Sequence, residues 1–119
     1  MNLWYDKYVG VSNIRKGLTC LSFCVDIVND VYGLNIQLLS WRDYKECLDK
    51  NFVECEARRG AVMCAYLNNI PKHVAFCLDG QFILESPSDD LPSHIRSIVD
   101  YSGYILKFYR PMNYGNEIY

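Results

Sequence analysis

Six cysteines (Cys20, Cys24, Cys47, Cys55, Cys64 and Cys77) and two histidines (His73 and His94) are the side chains of this sequence best equipped for nucleophilic chemistry. A cysteine at the first position of a helix meets the unpaired N–H groups of the first turn, whose dipoles favour thiolate over thiol near neutral pH. Cys20 is read below at such a position. A thiolate nucleophile also needs a base within hydrogen-bond reach, and a histidine opening a strand packed against that helix supplies one. His73 is the candidate. Against this stands the common fate of both residue types: a helical cysteine is usually a small core hydrophobe and a strand-end histidine is usually solvated. Cys24, one turn after Cys20, lies in the apolar stripe of the same helix and is assigned to the core. The elements that position Cys20 and His73 therefore carry the argument.

Other chemistries find less support. No Cys-x-x-Cys pair occurs and the two histidines lack the paired spacing of a zinc site, so neither a metal nor a cofactor is expected. Twelve basic and fourteen acidic residues give a net charge of −2 with no long run of either sign, which leaves no basic stripe for nucleic acid. No stretch approaches the roughly 18 to 20 apolar residues needed for a membrane span. Asp6 and Lys7 stand where a secretion signal would carry its apolar run, so the expectation is synthesis in a cytoplasm with free thiols.

With 119 residues, 50% of them hydrophobic and 22% charged, the chain has the balance of one globular domain over 1–119, and it shows no repeat or linker. Over 19–32, Leu21, Cys24, Val25, Val28, Val31 and Tyr32 recur at steps of three and four opposite Ser22, Asp26, Asn29 and Asp30, which predicts an amphipathic helix. Thr19 is its expected cap, Gly33 its stop and Cys20 its first residue. A second helix is predicted over 41–51, with Ser40 as cap and Asp43 three residues on. Strands are predicted over 61–67, 73–78, 81–85 and 104–109. The Asp79-Gly80 pair predicts a two-residue turn between the middle two. On the first strand of that hairpin, His73 shares a face with Ala75 and Cys77, away from the apolar row of Val74, Phe76 and Leu78. Between Ser86 and Gly103 an irregular stretch is expected, with a short helix over 93–100.

A helix carrying Cys, a strand, a strand carrying His and its hairpin partner, in that order, resemble the NlpC/P60 cysteine peptidases, specifically those of tailed-phage tail proteins. The likeness rests on Tyr8-Val9-Gly10, on Gly17-Leu18-Thr19-Cys20-Leu21 through Tyr32-Gly33, on Arg59-Gly60-Ala61-Val62 and on His73-Val74-Ala75-Phe76-Cys77-Leu78-Asp79-Gly80. Tyr104 to Pro111, ending Phe-Tyr-Arg-Pro, closes it. The resemblance implies an α+β, papain-like fold with N-terminal helices on a small antiparallel sheet. It also implies that Cys20 attacks a peptide carbonyl while His73 takes and returns a proton.

The sequence departs from the family in several places. Thr19 precedes Cys20 and Leu21-Ser22 follow it, where the family has Asp and then Ser-Gly. Val11 to Lys16 carries neither the cleft tyrosine nor the paired glycines. The third polar residue, which orients the histidine, falls on Leu84 under the two-residue turn. A slip of one residue would bring Glu85 to that place, because each step along a strand reverses the face; otherwise Glu85 is a solvated edge residue.

Two functions follow from the resemblance. In one, the chain is a tail-tip or hub component of a phage virion with a degraded active site, made in the bacterial host and contacting other tail proteins through its aromatic residues and a docking tail over 110–119. The departures favour this reading. In the alternative, Cys20, His73 and Glu85 form an active peptidase that cleaves the peptide stems of bacterial peptidoglycan during genome delivery.

Overall fold

The apolar spacing after residue 19 becomes helix α1, Cys20–Tyr32, in a computed structural model that describes residues 3–10, 20–37, 44–86 and 92–112. The helix stops where expected: Gly33 takes φ +69°, a conformation that costs a residue with a Cβ about 1 kcal/mol or more. The buried face is wider than the periodicity implied and takes in Phe23 and Ile27 as well as Leu21, Cys24, Val25 and Val28. Helix α2, Tyr44–Asn51, runs straight into strand β1, Phe52–Cys55. The expected caps Thr19 and Ser40, and Asp43, lie outside the described residues, as does the segment 11–16.

Five further strands follow: β2 (Val62–Leu67), β3 (Ile70–Cys77), β4 (Phe82–Glu85), β5 (His94–Ser97) and β6 (Ile105–Pro111). They form one antiparallel six-stranded sheet in the order β1-β6-β2-β3-β4-β5. The fold is α+β, two N-terminal helices packed on this sheet. Val62, Cys64, Val74, Phe76, Leu78 and Leu84 meet α1, with Cys47 and Leu48 of α2 in the same cluster. Ala61, Met63, Ala65, Ala75, Cys77 and Ile83 point the other way and are closed by Tyr101, Ile98, Leu106 and Phe108. His73 belongs by alternation to this second face, as the strand pattern predicted. The Tyr32 hydroxyl donates to the Gly60 carbonyl at 2.8 Å and ties the end of α1 to the entry of β2.

Four expectations need correction. The β3–β4 connection is a three-residue loop, Asp79-Gly80-Gln81, because Leu78 N–H bonds the Phe82 carbonyl at 2.9 Å and Cys77 pairs with Ile83. Asp79 stabilises it from within, its Oδ1 accepting from the N–H groups of Gln81 and Phe82 at 2.7 and 2.8 Å. The helix expected over 93–100 is instead β5 followed by a single 3-10 turn, Ile98–Tyr101, since Glu85 and Ile83 offer ladder partners to His94 and Arg96. Strand β1 had no counterpart in the reading, and β3 starts three residues early because Asn68 and Asn69, at φ 54° and 66°, make a two-residue turn with β2. Finally, β6 extends through Arg110 and Pro111, which pair with Val53 and Phe52; residues 113–119 of the expected tail lie outside the described residues.

Candidate active site

The three-residue loop decides what stands beside His73. With Phe76 opposite Leu84 and Cys77 opposite Ile83, Glu85 shares the face of Ala75 and His73, and Leu84 turns to the helix side. A two-residue turn would have exchanged the two. Glu85 is accordingly not a solvated edge residue: it is 0% exposed. Its Oε1 accepts from His73 Nε2 at 3.0 Å.

Three more donors close around the same carboxylate. His94, directly across the ladder on β5, gives its Nε2 to Oε2 at 2.8 Å, and Arg96, two residues on, adds an N–H at 3.4 Å. The Tyr101 hydroxyl donates to Oε1. Burying an ion without partners is costly, and here each oxygen has two donors. Burial works against the charged carboxylate, yet the bonds from His73 and Tyr101, the charge of His73 and the bond from His94 prevail and hold Glu85 down at about 2.

Cys20 arrives from the other layer. It is the first residue of α1, partly buried against the helix-side cluster, and it lies near enough to His73 to raise the imidazole's pKa. His73 stands within β3, next to the point where the pairing shifts register between Ala65 and Tyr66, an irregularity of the kind that bends a strand and re-aims its side chains. Since His73 uses Nε2 for Glu85, Nδ1 is the ring nitrogen left for sulfur. The His73 side chain is 13% exposed. Burial disfavours its charged form, but the hydrogen bonds to Cys20 and Glu85 and the negative charge of both raise it to about 9.

All six cysteines are free thiols. Burial pushes Cys24, Cys55 and Cys77 up, and Cys64 to about 11, which keeps them protonated near neutral pH. Cys20 is the one joined to a histidine that prefers its charged form. An imidazolium beside a sulfur at a helix N-terminus is the arrangement that supports a thiolate nucleophile, and Glu85 holds the ring in the orientation this needs.

The three residues singled out from sequence, Cys20, His73 and Glu85, are thus brought together. His94, Arg96 and Tyr101 were missed. The alternation of His94 and Arg96 was a signal for the first two, hidden by assigning 93–100 to a helix. Among the described residues no cluster of His, Cys, Asp or Glu has the makings of a metal site, and no helix is long and apolar enough to cross a membrane. Comparison with protein families, with curated proteins and with solved structures finds no match to this chain.

Proposed function

We propose that the chain is a cysteine hydrolase of the papain-like, NlpC/P60 type, with Cys20 as nucleophile, His73 as general base and acid, and Glu85 orienting His73. One observation carries this reading: His73 is hydrogen-bonded to a wholly buried, ionised Glu85 and lies beside Cys20, whose proximity helps raise the imidazole's pKa. Glu85 fills the third polar place that the two-residue turn would have given to Leu84, which removes one of the departures that favoured a degraded site.

In the reaction, the Cys20 thiolate adds to a peptide carbonyl carbon, and backbone N–H groups near Cys20 receive the developing oxyanion. His73 passes its proton to the leaving amine as the C–N bond breaks, leaving a thioester. It then takes a proton from water, whose oxygen attacks the thioester, and returns a proton to sulfur as the acid departs. The peptide stem of bacterial peptidoglycan as substrate, and the tail tip of a phage virion as location with other tail proteins as neighbours, rest on the sequence resemblance.

The test is the pH dependence of Cys20 alkylation in the native protein, resolved from the other five thiols by peptide mass spectrometry. Cys20 should react well below the ordinary cysteine pKa of about 8.5 and lose that behaviour in His73→Ala. A Cys20 that is inert, or equally reactive without His73, overturns the hydrolase and leaves the tail-component reading.

A further inference from the structure

We propose that Tyr101 is a positioning residue for His73: its ring stacks on the imidazole, and its hydroxyl bonds the same carboxylate oxygen that His73 Nε2 uses. The inference deepens the hydrolase reading and rests on it.

The two rings lie 5.6 Å apart between centroids and 12° from parallel. A single hydrogen bond to Glu85 sets one nitrogen of the imidazole but leaves the ring free to swing about that bond. The offset stack limits this freedom from one side of the ring. The hydroxyl acts on the acceptor, since Oε1 held by two donors keeps its place under His73. Together the contacts fix the direction in which Nδ1 meets Cys20, and a second layer of this kind commonly determines whether a reactive group is held closely enough to work. Burial and the neighbouring Glu85 charge push the Tyr101 phenol up, so it remains a donor across the working pH range.

Tyr101 is itself firmly placed. It ends the 3-10 turn Ile98–Tyr101, whose first N–H bonds the Gln81 carbonyl at 2.8 Å, and it is 8% exposed. The Arg96 guanidinium lies over its ring at 5.6 Å and reaches its hydroxyl at 3.4 Å, and Tyr104 tilts against it at 5.7 Å. A tyrosine needed only to fill space here would not require its oxygen to face a carboxylate.

The test compares Tyr101→Phe, which keeps the stack and loses the hydroxyl, with Tyr101→Leu, which loses both. Two readouts are taken: the Cys20 alkylation profile against pH, and the titration and tautomer of the His73 ring by nitrogen-edited NMR. In Tyr101→Leu the His73 pKa should fall toward its ordinary value, and thiolate reactivity at neutral pH should drop with it, by at most about tenfold per unit of fall. Tyr101→Phe should lie between Leu and wild type. The proposal is overturned if both variants, folded by circular dichroism, keep the wild-type His73 titration and Cys20 profile. A wild-type Cys20 that shows no His73-dependent reactivity defeats the hydrolase reading instead, and the wild-type curve alone distinguishes that failure.

Discussion

On the face of the sheet covered by α1, Val62, Cys64, Val74, Phe76 and Leu84 bury carbon and sulfur alone; on the opposite face the small side chains of Ala65, Ala75 and Cys77 run up to a carboxylate, Glu85, as completely buried as Phe76. The first face draws on area removed from water, about 1.5–3 kcal/mol for each large side chain, and tolerates exchange among apolar residues of similar volume. The second depends on four donors from three elements arriving together. Stability on one face is spread over many atoms. On the other it is conditional on a network, and the same network holds His73 toward Cys20.

Truncating the centre of each face separates the two roles. Glu85→Ala strands His73, His94, Arg96 and Tyr101 without their acceptor and should cost about 3–5 kcal/mol in urea unfolding. Phe76→Ala opens a cavity and should cost about 3–5 kcal/mol too. Their effect on Cys20 should differ: alkylation at neutral pH loses its His73 dependence in Glu85→Ala and keeps it in folded Phe76→Ala. Loss of that dependence in both variants would mean the faces are not separable.

The charged face should also write itself into the pH profile of stability. His73 is raised from 6.5 to about 9, so its contribution is full below 6.5 and is lost as pH rises through 9. Glu85 is lowered from 4.5 to about 2, so its contribution is full above 4.5 and is lost as pH falls through 2. Both are complete between 4.5 and 6.5. The two contributions are not added, because the His73–Glu85 interaction enters both and Cys20 also raises His73. Chemical denaturation across pH should show a plateau there, and His73→Ala should flatten the alkaline limb. An alkaline limb unchanged in that variant would assign it to other groups.

What was legible in the sequence follows the same division. Helix α1, its stop at Gly33 and the strand carrying His73 were readable, because apolar periodicity and a left-handed glycine are local signals. Strand β5 was not: residues 94–97 are strand because Glu85 and Ile83 pair with them, a long-range cause that outweighs local propensity. Strand β1 gains its pairing from β6, more than fifty residues later. The Asp79-Gly80 signal located the turn but not its length, since Asp79 caps two N–H groups and so draws Gln81 into the loop. The burial of Glu85 depended on that one residue, and Tyr101 became visible only with Glu85 in place.

The smallest expected effect tests whether the loop or the ladder places Glu85. Deleting Gln81 leaves Asp79-Gly80 as a two-residue connection while Leu78–Phe82, Cys77–Ile83 and Phe76–Leu84 stay opposite one another. Glycine readily takes the positive φ such a turn requires, and aspartate accepts it at modest cost. The Ile98 N–H loses its bond to the Gln81 carbonyl, a loss of about 1 kcal/mol. Thermal unfolding should therefore shift slightly and the His73 dependence of Cys20 alkylation should persist, because Glu85 still faces Ala75. The ladder then sets the site and the loop only permits it. If that dependence vanishes while the protein stays folded, the three-residue loop itself holds Glu85, and the face that carries the charge is more fragile than the hydrogen-bond count implies.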